Sequence, residues 1–262
     1  MKIAVIGAGN MGSAIIHSIV DNKMVDSSDL IICRKNSGKT IDGLPDLRIY
    51  SDIKYVIEQA DTVIMAVKPQ QAQDIFNSSS NCFSNKFVLS IMAGWPFEKL
   101  KAVLPQNTRI LCAMPNLLLS VKEGITLFSE HCNCTEDEYA FAKALFERAG
   151  TVVSVDDSYF AAANAVSGCA PAFVCLFIEA LSDGAVRYGV PRKLAYEIIT
   201  QMLIGTAQFL HQKGLHPGEL KDAVCSPKGI TIAGIQSLEN DGFRAAVINA
   251  VEACVLKEKE MS

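Results

Sequence analysis

Three glycines near the start of the chain have the spacing of a dinucleotide-binding turn. An apolar run at residues 2–6 leads into Gly7, Gly9 and Gly12, and a helical segment follows. In such a turn the first glycine permits the tight bend, the second lets the backbone approach a pyrophosphate, and the third lets helix and strand pack closely. The free amides and the dipole of the helix start then hold the phosphates; the alternative is a tight turn without a ligand. The spacing predicts that the cofactor contacts Ile6, Gly7, Ala8, Gly9, Asn10, Met11 and Gly12.

The residues after the second apolar run indicate which cofactor binds. An NAD site places Asp or Glu there to bond the ribose hydroxyls, but this chain has Arg34 and Lys35 after residues 30–33. Asp29 precedes that run and would therefore lie at the wrong end of the sheet. The forked guanidinium of Arg34 can bind a 2′-phosphate through two hydrogen bonds. NADPH is therefore predicted, with NADH as the alternative cofactor and a solvated basic turn as the interpretation without a ligand.

Turns after three later strands complete the predicted cofactor site. In a doubly wound sheet, residues that leave the carboxyl ends of the strands face the ligand crevice. The apolar runs at 62–67, 87–91 and 108–113 lead into such turns. We therefore expect the cofactor wall to include Ala66, Val67, Lys68, Pro69, Ala93 and Asn116.

A stretch late in the chain interrupts an otherwise helical region. Residues 224–234 read VCSPKGITIAG, in which a proline, two glycines and a lysine lie close together. Pro227 and Gly229 favour a loop, after which a new helix would begin with free backbone amides. The alternative is a helix connector in which Ser226 simply caps the following helix.

The elements that must position these residues change in kind near residue 155. Before it, short apolar runs alternate with helical stretches, and several runs are apolar throughout, as strands covered on both faces require. This pattern predicts an α/β fold, with a doubly wound (Rossmann) nucleotide-binding domain at 1–155 and an all-helical domain at 156–262. The predicted strands cover residues 2–6, 30–33, 47–50, 62–67, 87–91, 108–113, 124–128 and 151–155.

The helical domain carries small residues on several helix faces, including Ala161, Ala165 and Gly184. Small residues allow helices to approach closely. We therefore expect an intertwined homodimer, with a tightly packed monomer as the alternative.

Composition restricts the partners and the compartment. The 262 residues carry a net charge of −4 without a cluster of Lys and Arg, so neither nucleic acid nor a membrane surface is expected as a partner. Glycines interrupt the N-terminal apolar run too early for a signal peptide, and no stretch approaches the roughly 18 uninterrupted apolar residues of a membrane span. Nine cysteines, an odd number without paired spacing, favour the reducing cytoplasm. Cys132 and Cys134 lack a second ligand pair at a plausible spacing, so no metal is assigned.

Motifs along nearly the whole chain resemble those of the pyrroline-5-carboxylate reductase family. They read IGAGNMG, AVKP, AMPN, SGCAPAF, GVPR, HPGELKD, CSPKGITIAG and GFRAAVINAV. The resemblance implies NAD(P)H-dependent reduction of 1-pyrroline-5-carboxylate, a small cyclic imino acid, to L-proline, the last step of proline biosynthesis. It also implies a dimer through the helical domain, often within larger rings, with each active site between one chain's nucleotide domain and its partner's helices.

The resemblance gives the late loop a role in substrate binding. Hydride adds most easily to a protonated imine, so the protein must hold the carboxylate, orient the carbon towards the nicotinamide and hydrogen-bond the ring nitrogen. Ser226 would be an N-cap-like turn residue, and Pro227 and Gly229 would shape the loop. The backbone amides of Gly229, Ile230 and Thr231 would bind the carboxylate. Thr231 is the predicted catalytic residue, because its hydroxyl would contact the ring nitrogen.

The chain departs from the family pattern at several positions. Lys228 stands where the family usually has a small residue, commonly glycine, and Leu117 and Leu118 stand where it has Thr-Pro. These departures keep a non-catalytic NADPH-binding regulator as an alternative function. A β-hydroxyacid-type dehydrogenase is another alternative, but that class uses a helical-domain lysine to move the alcohol proton. No lysine lies between Lys143 and Lys193.

Overall fold

Eight strands form one sheet in a computed structural model that describes residues 1–35, 40–44 and 47–261. All eight predicted strands are confirmed, with ends that differ by at most two residues. The strands are β1 Ile3–Ile6, β2 Leu30–Cys33, β3 Arg48–Tyr50, β4 Thr62–Met65, β5 Phe87–Ser90, β6 Arg109–Pro115, β7 Gly124–Ser129 and β8 Gly150–Val155.

The sheet has the order β3-β2-β1-β4-β5-β6-β7-β8, and the first six strands in this order are parallel. The doubly wound arrangement is confirmed, but the last two strands run in the opposite direction, because β7 is antiparallel to β6 and β8 is parallel to β7. Only eight residues separate Pro115 from Gly124. A parallel connection needs a crossover of about a dozen residues or more, so this short link forces the chain to reverse.

Helices cover both faces of the sheet and create two buried cores. Neighbouring residues of one strand enter different cores: Val63 and Met65 lie in one cluster, and Ile64 lies in the other. This two-sided burial explains why β1 and β2 are apolar throughout and why β4 and β5 are fully buried. The helices are α1 Asn10–Asp21, α2 Ile53–Glu58, α3 Pro69–Ser79, α4 Phe97–Val103 and α5 Glu136–Glu147.

The described chain after β8 is helical, which confirms the predicted helical C-terminal region. Gly189 follows the helix Ala170–Arg187 with a φ of 91°, and Gly214 follows the helix Arg192–Lys213 with a φ of 62°. Glycine occupies such left-handed positions without a Cβ clash, so it ends both helices. The helices are α6 Phe160–Asn164, α7 Ala170–Arg187, α8 Arg192–Lys213, α9 Pro217–Val224, α10 Ile230–Asn240 and α11 Phe243–Met261, with a π turn at Ala165–Cys169.

The chain divides into two compact units. One runs from Met1 to Gly168 and includes the residues from Cys254 onward, and the other is Cys169–Ala253. The second unit exposes many large apolar side chains, among them Leu176 and Ile230, which are 67% and 95% exposed. Large apolar side chains exposed in such number commonly indicate an interaction site.

One helical segment, Asp157–Arg187, is long and apolar enough to cross a membrane, judged by length and composition only. The segment lacks the uninterrupted apolar run on which the prediction from sequence was based, because the polar residues Asn164 and Ser167 lie within it.

Candidate active site and cofactor cleft

A cleft of about 580 Å³ lies at the carboxyl ends of β1, β2 and β4. In an open α/β sheet this edge is the usual ligand site, at the point where the strand order reverses, and here the order reverses between β1 and β4. The structure therefore brings together residues from three separate turns. The predicted residues that line the cleft are Ile6, Gly7, Ala8, Gly9, Arg34, Lys35, Ala66, Val67 and Lys68.

Glycine is present for a different structural reason at each of the three positions of the first turn. Gly7 adopts a φ of 101°, and a Cβ there would lie 2.5 Å from the Ala66 carbonyl oxygen. A Cβ on Gly12 would lie 2.1 Å from the Gly7 carbonyl oxygen, so α1 could not pack against β1. A Cβ on Gly9 would meet nothing within 4 Å. Gly7 and Gly12 are required by packing, whereas the space beside Gly9 is open.

The electrostatics of the cleft also fit a phosphorylated cofactor. Helix α1 begins at Asn10, its first turn carries no acidic residue, and Gly9 caps it without a side-chain hydrogen bond. The first amides of a helix have no partner within the helix, and its dipole favours an anion. Three basic residues, Arg34, Lys35 and Lys68, line the cleft against a single carboxylate, Asp74. The described residues therefore suit a dinucleotide that carries an additional phosphate.

The remaining predicted cofactor residues lie outside the cleft lining. Asn10, Met11 and Gly12 form the first turn of α1, and Pro69 begins α3. Ala93 follows β5 and is half-buried.

The side chain of Asn116 forms hydrogen bonds that stabilise the fold. Its side chain is 5% exposed, and its Oδ1 accepts hydrogen bonds from the backbone N–H groups of Leu118 and Ile125, each at 3.2 Å. Its Nδ2 donates to the backbone oxygen of Ser167 at 3.0 Å. Asn commonly supplies such bonds where a chain turns sharply, as it does here between β6 and β7. The structure therefore commits this side chain to the turn and does not bring it to the cleft.

The cleft also contains residues that the sequence analysis did not name. Ser51 and Ile53 follow β3 at the same edge of the sheet, so the rule for carboxyl ends could have found them. The α3 residues could not have been found, because the side of this helix that faces the cleft depends on packing. The additional residues are Cys33, Ser51, Ile53, Gln71, Asp74 and Ile75.

Cys33 is the thiol that lines this cleft. Burial, with a smaller contribution from the charge of Asp52, raises its pKa to about 11. A thiol with so high a pKa is protonated near neutral pH and is a poor nucleophile. The cleft therefore has no activated thiol at the end of β2, and Cys33 contributes packing.

The loop between α9 and α10 provides the predicted new helix start. Helix α10 begins at Ile230, with Gly229 as its N-cap and no side-chain capping bond. Ser226 therefore does not cap α10, and the N-cap role predicted for it in both interpretations of the loop is wrong. The Gly229 N–H donates to the Ser226 carbonyl at 2.9 Å, so this amide is not available to a ligand. The amides of Ile230 and Thr231 have no acceptor within the helix, and Thr231 is exposed.

Lys228 adopts a left-handed backbone conformation with a φ of 58°. A Cβ in this region costs about 1–2 kcal/mol, and glycine avoids that cost. A glycine at position 228 would avoid the backbone cost that Lys228 carries.

Lys228→Gly is expected to raise the free energy of unfolding by about 0.5–1 kcal/mol, because the relieved strain exceeds the extra entropy of an unfolded glycine. Urea denaturation followed by circular dichroism measures this change. Lys228→Ala is the matched control: it removes the charge but keeps the Cβ, and should change stability by less than about 0.5 kcal/mol. An equal gain in both variants would assign the effect to charge instead of backbone.

Comparisons with known proteins agree along the whole chain. The model for pyrroline-5-carboxylate reductase dimerisation matches residues 157–261, and the model for NADP oxidoreductase, coenzyme F420-dependent, matches residues 2–94. The pyrroline-5-carboxylate reductase of Methanosarcina acetivorans is 37% identical over 99% of this chain and 97% of its own, and that of Treponema pallidum is 36% identical over 97% and 99%. The crystal structure of Plasmodium falciparum pyrroline carboxylate reductase with NADP bound matches with a TM-score of 0.91 and 30% identity, covering 100% of this chain and 98% of that chain. The chain therefore belongs to the pyrroline-5-carboxylate reductase family.

Proposed function

We propose that the chain reduces 1-pyrroline-5-carboxylate to L-proline with NADPH, the last step of proline biosynthesis. The observation that carries this proposal is the chain-long similarity to reductases of that name, at 37% identity over 99% of the chain. The open space at Gly9 and the basic lining of the cleft support NADPH as the hydride donor. The reaction needs little else from the protein than binding, orientation and a hydrogen bond, because the cofactor supplies the hydride.

We propose that the first turn holds the pyrophosphate through Gly7, Gly9 and the amides at the start of α1. Arg34 and Lys35 then bind the 2′-phosphate, because both line the same cleft and Arg34 can form a bidentate contact. Ala93 and the turn from Ala66 to Pro69 would form the wall beside the nicotinamide. Asn116 would support that wall through its backbone hydrogen bonds.

The start of α10 is the proposed substrate site. The amides of Ile230 and Thr231 bind the substrate carboxylate, and the Thr231 hydroxyl hydrogen-bonds the ring nitrogen. Ser226 and Gly229 hold the turn that ends in this helix, through the Gly229 N–H bond to the Ser226 carbonyl. The Thr231 hydroxyl, together with solvent, is sufficient for this reaction, because reduction of a protonated imine does not need a strong base.

We propose that residues 1–155 bind the cofactor, and that residues 156–262 form a homodimer and hold the substrate. The exposed apolar side chains of Cys169–Ala253 support a partner surface, as does the dimerisation model that matches 157–261. Each active site would combine one chain's cofactor residues with its partner's helices, and dimers would assemble into larger oligomers. The nine cysteines, all unpaired in the structure, support a cytoplasmic location.

The proposed function is tested by NADPH oxidation with the purified protein. 1-Pyrroline-5-carboxylate should be reduced fastest when it is compared with the 2-carboxylate isomer and with the six-membered cyclic imine. Binding of NADPH without turnover of any cyclic imine would contradict the proposal and favour a regulator. Oxidation of a β-hydroxyacid would instead favour a dehydrogenase.

Arg34→Ala is expected to lower kcat/KM for NADPH by about 10- to 100-fold and to leave kcat/KM for NADH almost unchanged. The reason is that a charge-assisted hydrogen bond contributes about 1.5–3 kcal/mol. NADH has no 2′-phosphate, so it cannot form this bond with Arg34 and loses nothing when Arg34 is removed. Steady-state kinetics with both cofactors measure this change. Arg48→Ala is the control, because Arg48 is exposed on β3 and lies outside the cleft lining. An unchanged ratio of NADPH to NADH efficiency in Arg34→Ala would show that the 2′-phosphate binds elsewhere.

A further inference from the structure

A second basic cavity lies on the flank of α1, apart from the cofactor cleft. Its volume is about 260 Å³, and its titratable lining groups are His17, Asp21, Lys122 and Arg148. Leu119 and Ala149 line it as well and are buried. The cavity therefore combines apolar walls with basic groups from three separate segments of the chain.

Like the cofactor cleft, this cavity is lined by more basic groups than carboxylates. The cleft has two lysines and an arginine against one carboxylate. The cavity has Lys122, Arg148 and the imidazole of His17 against Asp21. The chain as a whole carries a net charge of −4, so neither collection of basic groups follows from average composition.

The basic groups have hydrogen-bond donors to spare. Among the residues that the structure describes, neither Lys122 nor Arg148 forms an ion pair, and both are exposed. Arginine and lysine are the usual ligands of phosphate groups, and neutral histidine retains one N–H donor.

Two serines fix the walls of the cavity. The Ser18 hydroxyl donates to the Leu145 carbonyl at 3.2 Å, and the Ser120 hydroxyl donates to the Leu117 carbonyl at 2.9 Å. The first bond connects α1 to α5, and the second lies within the 3₁₀ turn after β6. Because the walls are held by such internal bonds, the basic side chains surround a preformed space.

We propose that this cavity binds a phosphate group, either as inorganic phosphate or as a small phosphate monoester. At less than half the volume of the cofactor cleft, the cavity is too small for a dinucleotide. The apolar residues Leu119 and Ala149 leave room for the carbon atoms of a monoester. This site does not depend on the proposed reaction.

The test uses protein saturated with NADP⁺, so that the cofactor cleft cannot take up the added anion. Inorganic phosphate and glycerol 1-phosphate are titrated separately at constant ionic strength, with binding followed by calorimetry and by the shift in Tm. The wild type should bind phosphate saturably, and Lys122→Ala/Arg148→Ala should weaken binding at least about tenfold, the scale of one charge-assisted hydrogen bond. Saturable binding of glycerol 1-phosphate as well would identify the site as one for monoesters, and binding of phosphate alone as one for the free ion.

The control is Lys54→Ala/Arg48→Ala, which removes two exposed charges outside the cavity and should leave binding unchanged. Lys122→Arg/Arg148→Lys keeps both charges and should retain most of the affinity if the first double variant is poorly folded. Binding that is equally strong in Lys122→Ala/Arg148→Ala, or that disappears when NADP⁺ is saturating, would overturn the proposal.

Discussion

Gly12→Ala is expected to destabilise the nucleotide-binding unit by about 3 kcal/mol, the upper end of the usual cost of overpacking. The added Cβ would lie 2.1 Å from the Gly7 carbonyl oxygen and 3.3 Å from the Ala66 Cβ. The first of these atoms belongs to the backbone, so it cannot move aside as a flexible side chain would. Helix α1 must therefore shift away from β1, which urea denaturation detects as a lower midpoint.

Gly9→Ala is the matched control for Gly12→Ala, because both glycines lie in the same turn. Gly9 has a φ of −79° and open space around its Cβ position, so alanine should change the free energy of unfolding by less than about 1 kcal/mol. The same methyl group projects into the space proposed for the pyrophosphate, and NADPH affinity should fall at least about tenfold, which is 1.4 kcal/mol. Equal destabilisation by the two variants, or unchanged NADPH affinity in Gly9→Ala, would contradict these separate roles.

Thr231→Val is expected to lower kcat about 100-fold while leaving the KM for NADPH nearly unchanged. Valine has almost the shape of threonine but cannot hydrogen-bond the ring nitrogen, and a hydrogen bond to a charged group contributes about 1.5–3 kcal/mol, the upper part of which corresponds to about 100-fold. Because Thr231 is exposed, the substitution should not disturb the fold. Single-turnover kinetics with saturating NADPH measure the chemical step directly.

Thr231→Ser separates the hydroxyl from the methyl group at this position. Serine keeps the hydroxyl and should retain kcat within about tenfold of the wild type, because it can still form the charge-assisted hydrogen bond. If valine and serine lowered kcat equally, the hydroxyl would not be the group that acts on the nitrogen. A loss confined to the KM for the imine would assign Thr231 to substrate binding alone.

The sheet and the cofactor edge could be predicted from the sequence because their signals are local. Strands β1 and β2 are apolar throughout, β4 and β5 each contain a single polar residue, and each turn follows such a run directly. The reversal of β7 could also have been predicted, because the link after Pro115 is too short for a parallel crossover.

Hydrogen-bond assignments inside turns could not be predicted in this way. Asn116 carries three bonds to backbone groups as far along the chain as Ser167, and no local pattern indicates that distant partner. Gly229 loses its amide to the Ser226 carbonyl because of the turn geometry at Lys228. The cavity beside α1 could not be predicted for a similar reason, because its basic groups His17, Lys122 and Arg148 come from three separate segments of the chain.

The exposed apolar side chains of Cys169–Ala253 have a thermodynamic consequence. A surface that a second copy covers stabilises only the associated form, so the free energy of unfolding of the proposed dimer includes the free energy of association. Dilution would therefore lower the Tm of the helical unit even though no bond within one chain had changed. The measured stability of this protein would therefore depend on the protein concentration. The nucleotide-binding unit has two buried cores of its own, so its stability should depend least on that concentration.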